Sequence, residues 1–416
     1  MKQALYLTIV LSIMLSNESI YAQTHPNEFQ QVESEVVDSI YSKTLDSYRH
    51  FWVKLPESYN PKSDRKYPVI YVLDGFSLQS NLEVVYNNYW GHYLPQMILV
   101  GISNRIHRTR DLTISKIETR RGSEMQTESG GAEKFTAFIE SDLMPYIDKT
   151  FQTSSYRTLI GHSYAGLFTI NTLLHHSHLF TNYIAIDPSI EWDNQKLLIQ
   201  AKEILKAKNF DGKGLFVALA AEQLNMQDAS VTIDNLMEDT SEFSLFARSI
   251  LEFSQYASAQ QQNKLNVVYK VYPEDLHGTV PLPAMRDGLV SLFQWFQFKY
   301  PQKYNNPDTS VQDLRALLNA QEVIYTKNFG YKSPPMIEEL FNGYGYMNLQ
   351  MGQPEKALLF FSMALKYYPQ SANAYDAMAD YYLSQDDNLK AIEYLTKALE
   401  ISGNLYHKEK LDALKK

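Results

Sequence analysis

The feature that most constrains the fold of this 416-residue chain is a series of short apolar segments that alternate with helical patterns. Several segments, such as residues 68–75 and 215–222, are apolar along nearly their whole length. Such runs are typical of strands buried on both faces of a mostly parallel sheet, and their alternation with helices predicts a three-layer α/β domain. The predicted strands are residues 51–56, 68–75, 97–102, 157–163, 183–187, 215–222 and 266–274, and the predicted helices include residues 132–151 and 285–300.

The C-terminal part has a different pattern, which begins after a Pro- and Asn-rich break at residues 299–308. No strand pattern recurs there, and the sequence looks helical to its end. Small and apolar residues return at an interval of 34, which is typical of tetratricopeptide repeats because small side chains are needed where paired helices cross. The matching pairs are Gly345 and Ala379, Ala357 and Ala391, Phe361 and Leu395, Ala364 and Ala398, and Leu365 and Leu399.

We therefore predict two domains, at residues 23–304 and 305–416, and two tetratricopeptide repeats at about 338–370 and 371–403. Two repeats are fewer than the three usually needed for stability, because each repeat buries its apolar face against a neighbour. We expect a further helical pattern at residues 310–328, together with the surface of the first domain, to cover the faces that remain.

The first 22 residues have the pattern of an export signal. Lys2 supplies a basic start, residues 4–15 form an apolar run, and Ala22 ends a small-residue cleavage site. The apolar run is too short for a membrane-spanning helix, which needs about 20 residues. The mature protein should begin near Gln23 and work in the periplasm or outside the cell.

The composition excludes several functional classes. The formal net charge is −9 and the longest basic run stays within residues 119–121, so a nucleic-acid partner is not expected. The chain has no cysteine, which rules out thiol nucleophiles, disulfides and cysteine-bound metals. His175, His176 and His178 have no carboxylate at metal-ligand spacing. We therefore expect neither a metal nor another cofactor.

One short motif, LIGHSYAG at residues 159–166, has the context of a nucleophile elbow. In this turn a strand passes through a serine into a helix, and small residues flank the serine because the two elements pack closely. Ser163 follows Gly161 by two residues, whereas Ala165 stands where a second glycine is usual and Gly166 comes one later. The pattern predicts Ser163 as a nucleophile, and the alternative is an ordinary serine in a small-residue turn.

A nucleophilic serine needs a base to take its proton, and the base needs a carboxylate to orient it. His277 follows the last predicted strand, where such a base is expected when the chain order is serine, acid, histidine. Glu222 ends the preceding strand and is our first choice for the acid. The alternatives are Asp187, Asp193, Asp275 or a dyad in which a backbone carbonyl orients the histidine.

Acyl transfer also needs N–H groups aimed at the developing oxyanion. The backbone N–H of Tyr164, directly after the serine, is the first predicted donor. The second is the N–H of Phe76, in a turn where Gly75 would permit an unusual backbone conformation.

Residues 104–121 carry five arginines in an otherwise acidic chain. Local positive charge beside the site would attract an anionic ligand, so Arg108, Arg110 and the neighbouring His162 are predicted to bind substrate. The alternative is that these arginines pair with nearby carboxylates, and that Arg110 and Asp111 brace the loop.

Six stretches cover almost the whole first domain: YPVIYVLDG (67–75), VGISNRIHRTRDLT (100–113), GGAEKFTAFIESDLMPYID (130–148), YRTLIGHSYAGLF (156–168), IDPSIEW (186–192) and YPEDLHGTV (272–280). In order and content they resemble the α/β-hydrolase family known as Putative esterase, and within it the secreted or periplasmic siderophore-esterase-like serine hydrolases. The resemblance implies an α/β-hydrolase fold with Ser163 as nucleophile and His277 as base. Ala165 departs from the family's usual GHSFGG or GHSYGG.

These observations predict an exported serine hydrolase that cleaves carboxylic esters through an acyl-enzyme. The arginine-rich stretch and the resemblance favour a siderophore or phenolic ester as the small-molecule substrate. The repeats also predict a protein partner, because tetratricopeptide grooves commonly bind peptides. The alternative function is that of a catalytically silent hydrolase fold that acts as a scaffold through its repeats.

Overall fold

The computed structural model describes residues 35–57, 59–61, 65–120, 122–297 and 299–415. The export signal predicted at residues 1–22 lies outside the described residues. In the described part of the chain, no helix is both long enough and apolar enough to cross a membrane.

The strands of the structure are β1 (Glu35–Ser42), β2 (Ser47–Lys54), β3 (Tyr67–Leu73), β4 (Ile98–Ile102), β5 (Thr119–Arg120), β6 (Ser123–Glu124), β7 (Thr153–His162), β8 (Asn182–Ile186), β9 (Gly214–Ala220) and β10 (Asn266–Tyr272). Strands β5 and β6 form a small hairpin, and the other eight form one sheet in the order β1-β2-β4-β3-β7-β8-β9-β10. Strand β2 is antiparallel to both of its neighbours, and the remaining pairings from β4 to β10 are parallel. The carboxyl ends of these parallel strands therefore lie along one edge of the sheet.

The helices of the N-terminal domain are α1 (Gly75–Tyr89), α2 (Arg108–Leu112), α3 (Ala132–Phe138), α4 (Met144–Thr150), α5 (Tyr164–His175), α6 (Trp192–Ala207), α7 (Glu222–Gln227), α8 (Leu245–Ala259) and α9 (Pro281–Leu292). Helices α1 and α9 cover one face of the sheet, and α3 to α6 together with α8 cover the other. A π-helical turn, Ile139–Leu143, joins α3 to α4. This arrangement confirms the predicted three-layer α/β fold.

Strand β3 shows why the central segments are apolar along their whole length. Val69 and Tyr71 belong to the core on one face of the sheet, and Ile70 and Val72 belong to the core on the other. Successive side chains of a strand point to opposite faces, so a strand covered on both sides has no position for a polar residue.

The segments predicted as strands all contain strands of the sheet, but two details differ. Strand β1 was not predicted, because an edge strand has exposed positions and lacks a continuous apolar run. The helix predicted at residues 285–300 instead runs from Pro281 to Leu292. Proline is well suited to the first turn of a helix, where its missing N–H has no partner to lose.

The C-terminal region is entirely helical in its described part, as predicted, and consists of α10 (Val311–Phe329), α11 (Glu338–Gln350), α12 (Pro354–Tyr367), α13 (Ala372–Ser384), α14 (Asn388–Ser402) and α15 (Leu405–Leu414). Helices α11 and α12 begin at residues 338 and 354, and α13 and α14 begin 34 residues later, at residues 372 and 388. Helices α11 and α12 approach so closely that a Cβ on Gly345 would lie 2.3 Å from Cε1 of Phe361. This close approach explains why residue 345 is a glycine. The assignment of these helices to tetratricopeptide repeats stays a prediction.

Helix α10 joins the two regions. Near its start, Leu314 and Leu318 pack in one core with Phe341 and Phe360 of the helical pairs. Near its end, Tyr325 stacks on Phe296 with ring centroids 4.6 Å apart and donates a hydrogen bond to the Phe296 carbonyl at 2.5 Å. Helix α10 thus packs against the helical pairs at its start and against the first domain at its end, while the division of the chain into two domains stays a prediction.

Candidate active site

Ser163 occupies a sharp turn between β7 and α5. Its backbone angles are φ 62° and ψ −117°, which an L-residue adopts only under strain. The flanking residues must be small: a Cβ on Gly161 would lie 2.1 Å from the Ala165 carbonyl oxygen, and one on Gly166 would lie 2.9 Å from Cα of Pro188. The strand, strained serine and helix follow one another as in a nucleophile elbow.

The loop that follows β8 is bonded directly to this turn. The Ser163 N–H donates to the Ile186 carbonyl at 3.0 Å, and the Ser189 N–H donates to the Ser163 carbonyl at 3.1 Å. Between these two contacts lies Asp187, which also has a positive φ, of 43°. The serine and this aspartate are therefore held in a fixed relation by backbone hydrogen bonds.

Asp187 contacts His277 through a short hydrogen bond. The Asp187 carboxylate is almost fully buried, and its Oδ2 lies 2.6 Å from His277 Nδ1. Its Oδ1 accepts a hydrogen bond from the Ala220 N–H at 3.0 Å. Burial raises the pKa of Asp187, and the bonds from His277 and Ala220 oppose that rise. An acid at Nδ1 leaves the opposite nitrogen, Nε2, for a serine proton, as in a Ser-His-Asp triad.

The structure brings the carboxylate of Asp187 against His277, and not that of Glu222, which was our first choice for the orienting acid. Glu222 is the first residue of α7, and its N–H donates to the Asp275 carbonyl at 3.2 Å. Asp187 takes the position beside His277 instead, because it directly follows β8, which lies between the serine strand β7 and β9 in the sheet. The other two alternatives bond elsewhere: Asp193 accepts from Ser115, and Asp275 accepts from Thr279.

His162 contacts the histidine of this pair. The ring centroids of His162 and His277 are 4.4 Å apart, with their planes inclined by 39°. The pKa of His162 is lowered to about 3, mainly by burial and also by the electrostatic effects of His277 and Arg108, while a hydrogen bond to the His277 backbone opposes this fall. The residue was predicted to bind substrate, whereas its observed neighbour is His277.

The predicted oxyanion donors lie at the starts of two helices. The Tyr164 N–H opens α5, and the Phe76 N–H belongs to the first turn of α1. The unusual backbone conformation expected at Gly75 occurs one residue earlier, at Asp74, with φ 52° and ψ 37°. Gly75 is small for another reason, because a Cβ there would lie 2.4 Å from the backbone of Gly101. The role of Tyr164 and Phe76 stays a prediction.

The two arginines that were predicted to bind substrate are both paired with carboxylates. Arg108 Nε bonds both carboxylate oxygens of Asp74, at 3.0 and 2.9 Å, and its Nη2 donates to the His162 carbonyl at 3.2 Å. Its guanidinium also lies over the Tyr164 ring, 5.3 Å from the centroid. Arg110 bonds Asp111 at 2.9 Å, which agrees with the alternative that these two residues brace the loop. Substrate binding by Arg108 stays a prediction.

A third guanidinium, that of Arg120 on β5, was counted among the five arginines of residues 104–121 but was not predicted to belong to the site. It bonds both the Tyr164 hydroxyl and the largely buried carboxylate of Glu191. It also lies over the rings of Tyr164 and Trp192, 4.9 and 5.4 Å from their centroids. The hairpin formed by β5 and β6 is thereby attached to the residue that follows Ser163.

The clustered histidines lie where α5 ends. His175 is the last residue of the helix, and the next two make single exposed pairs: His176 with Glu133 at 3.1 Å and His178 with Glu140 at 2.8 Å. Within the described ranges, no group of three or more His, Cys, Asp or Glu side chains is placed to hold a metal ion.

Comparison with known proteins places this chain among esterases. The family model described as Putative esterase matches residues 42–273. Ferri-bacillibactin esterase BesA of Bacillus subtilis is 31% identical over 205 residues, which cover 45% of this chain and 70% of that protein. A siderophore enterobactin esterase of Emericella nidulans is 29% identical over 187 residues, 41% of this chain and 59% of that protein.

Solved structures show the same fold. An IroE-like serine hydrolase from Shewanella oneidensis superposes with a TM-score of 0.65 at 24% identity, covering 80% of this chain and 99% of that one. An uncharacterised protein from Capnocytophaga ochracea superposes with a TM-score of 0.56 at 16% identity, covering 92% and 99%. A match over 92% of the chain includes most of the C-terminal helices, so the combination of an α/β domain with this helical region occurs in a second protein.

Proposed function

Because this chain belongs to the Putative esterase family of α/β hydrolases, we propose that it hydrolyses carboxylic esters through an acyl-enzyme on Ser163. The observation that carries the proposal is the 2.6 Å contact between His277 Nδ1 and a buried carboxylate, in a loop bonded to the strained serine turn. A histidine oriented by a buried carboxylate, together with a serine on an elbow, is the arrangement that activates a hydroxyl nucleophile.

The proposed reaction has two halves. Ser163 Oγ attacks the ester carbonyl while His277 takes its proton, and the backbone N–H groups of Tyr164 and Phe76 stabilise the oxyanion. Collapse of the intermediate returns that proton to the departing alcohol and leaves an acyl-serine. His277 then deprotonates a water that attacks the acyl group, and the imidazolium returns this proton to Ser163 Oγ as the acid is released. Asp187 stabilises the imidazolium in both halves.

For the substrate we propose an anionic aromatic ester of the siderophore or phenolic class. The relatives named above are esterases of ferri-bacillibactin and of enterobactin. Arg108 supports this choice, because it lies beside the residues that flank Ser163 and its side chain is 33% exposed. The export signal predicted at residues 1–22 supports a location in the periplasm or outside the cell.

We further propose that the C-terminal helices bind a protein partner and do not act as a lid. The contacts of α10 support this, because its end packs on Tyr156 and its following loop on Lys66, both near the amino ends of their strands. Ser163, Asp187 and His277 follow the carboxyl ends. The scaffold alternative, without catalysis, is favoured by no observation at the serine.

The first experiment labels the purified mature protein with a fluorophosphonate probe and maps the adduct by mass spectrometry. Labelling at Ser163 that disappears in Ser163→Ala supports the proposal. A matched control is Ser189→Ala, which removes a hydroxyl from the neighbouring loop and should leave labelling intact. A folded protein that takes no label would overturn the esterase proposal and favour the scaffold.

A second experiment tests the substrate class. Hydrolysis of an enterobactin-type catecholate ester is compared with that of an uncharged phenyl ester of similar size, in the wild-type protein and in Arg108→Gln. Anion recognition predicts that the variant raises KM for the catecholate and leaves KM for the uncharged ester unchanged. Equal changes for both esters would show that Arg108 only braces the site.

A further inference from the structure

Within the described residues, the imidazole of His277 makes one hydrogen bond, from Nδ1 to Asp187. The residue lies in the loop between β10 and α9, and its side chain is 38% exposed. The bond from Nδ1 to Asp187 fixes one ring nitrogen but allows the ring to turn about that contact. A base that transfers protons to and from Ser163 needs a fixed orientation, since small misplacements of reacting groups are costly.

Two aromatic rings limit the rotation of His277. Phe246 and His277 form a T-shaped pair, with centroids 5.6 Å apart and planes at 82°. His162 lies closer, at 4.4 Å, and faces the imidazole at an inclination of 39°. The ring of His162 is both the nearer of the two and the more nearly parallel to the imidazole, which places it to support a face of the base.

His162 is itself held firmly. It ends β7, where it pairs with Ile186 of β8, and its carbonyl accepts the hydrogen bond from Arg108. It also directly precedes Ser163, so the supporting ring and the nucleophile belong to the same rigid strand end.

We propose that His162 is a positioning residue, whose uncharged ring forms the wall that keeps His277 oriented toward Ser163. This inference rests on the proposed function and replaces the substrate-binding role expected from the sequence. His162 acts through His277 and has no contact with the reacting atoms in this proposal.

The electrostatics of the pair agree with this role. His277 becomes an imidazolium in each half of the reaction, and a second charged ring 4.4 Å away would repel it. The charged and titratable groups that face His162 are His277 and Arg108, and both favour its neutral form, as burial does. Nε2 of His162 is buried and has no hydrogen-bond partner within the described residues, as an uncharged ring permits.

The kinetic test compares His162→Ala, which removes the wall, with His162→Phe, which keeps a flat ring without nitrogens. With p-nitrophenyl butyrate, the alanine variant should lower kcat roughly 10- to 100-fold and change KM less than about 2-fold, and phenylalanine should restore most of kcat. An alanine variant with raised KM and unchanged kcat would assign His162 to substrate binding. An alanine variant with wild-type kinetics, or a phenylalanine variant as impaired as alanine, would also overturn the proposal.

A spectroscopic test does not depend on turnover. The proton between His277 Nδ1 and Asp187 should give a low-field ¹H NMR resonance, assigned by its absence in His277→Ala. We expect this resonance to broaden or vanish in His162→Ala and to remain in His162→Phe and in the control His178→Ala, an exposed histidine. A sharp, unshifted resonance in His162→Ala would overturn the positioning role.

The two tests separate the two proposals. If the wild-type protein neither hydrolyses esters nor takes the fluorophosphonate label, the proposed function is wrong. The NMR resonance between His277 and Asp187 would still show whether His162 orients His277. Should His162→Ala fail to fold, His162→Val replaces it, because a β-branched residue suits a strand end and still has no ring.

Discussion

The two ends of the central sheet are built in opposite ways. At the carboxyl end, Asp74, Ser163 and Asp187 each follow a strand directly and each has a positive φ. The buried carboxylates of Asp187 and Glu191 lie at the same end. At the amino end, the contacts are between aromatic rings. The rings belong to Tyr156, Trp295, Phe296, Tyr325 and Phe329.

This difference shows that the amino end of the sheet stabilises the fold, whereas the carboxyl end contains conformations that destabilise it. Positive φ at a residue other than glycine is unfavourable and persists only where the surrounding structure enforces it. Burial of aromatic rings is strongly favourable, and here it also attaches the helical region. Tyr156 precedes Ser163 by seven residues on one strand, so the two ends are separated by about 23 Å at roughly 3.3 Å per residue.

The largest effect should come from Asp187→Asn at the carboxyl end. The amide keeps the volume of the carboxylate but disfavours the His277 tautomer that accepts a proton from serine. We expect turnover to fall roughly 10³- to 10⁴-fold. Thermal unfolding should change little, because burial already raises the pKa of this carboxyl and disfavours its charge.

The matched controls are the acids that the sequence also offered. Glu222→Gln and Asp193→Asn should keep turnover within about 3-fold of wild type, since neither carboxylate bonds His277 and surface changes are usually small. A loss in Glu222→Gln as large as that in Asp187→Asn would return the orienting role to Glu222.

At the amino end, Tyr325→Ala should damage stability and spare activity. The side chain is 1% exposed, stacks on Phe296 and bonds its carbonyl. Truncation should lower the free energy of unfolding by about 3–5 kcal/mol in chemical denaturation, with kcat unchanged at 25 °C. Val323→Ala on the same helix, at a side chain 67% exposed, is the control and should cost less than about 0.5 kcal/mol. A loss of activity in folded Tyr325→Ala would show that the two ends are coupled.

A pH effect of intermediate size should arise from His162. Its pKa falls from 6.5 to about 3 on folding, so the unfolded chain takes up the proton first as pH decreases. Stability from this residue is present above pH 6.5 and is lost as pH falls toward about 3. Between pH 7 and pH 4 the loss should be about 3 kcal/mol greater in wild type than in His162→Phe, measured by urea unfolding. Equal losses in both proteins would mean that the histidine remains solvated in the native state.

The smallest effect belongs to a pair on the protein surface. His178 and Glu140 are 2.8 Å apart but 63% and 44% exposed, so water screens their attraction. His178→Gln should change the free energy of unfolding by less than about 0.5 kcal/mol and leave ester hydrolysis unchanged. A change above about 1 kcal/mol would indicate a structural role that the exposed position does not suggest.

Much of the fold could be predicted from the sequence because burial constrains residue type. Continuous apolar runs identified the central strands, and an interval of 34 identified the helical pairs. Strand β1 lies at an edge and carries no such signal. The conformation of Asp74 was also missed, because aspartate at positive φ has no distinctive sequence pattern whereas the neighbouring glycine does.

The sequence by itself determined the three-layer α/β class, the strand-to-helix turn at Ser163 and the helical character of the C-terminal region. These features follow from local patterns, because burial constrains the types of residues that are close together in the chain. Only the tertiary structure decided which carboxylate lies against His277 and which ring supports it. Asp187 and His162 are 90 and 115 residues from His277 in the chain, and only the order of strands in the sheet brings them together.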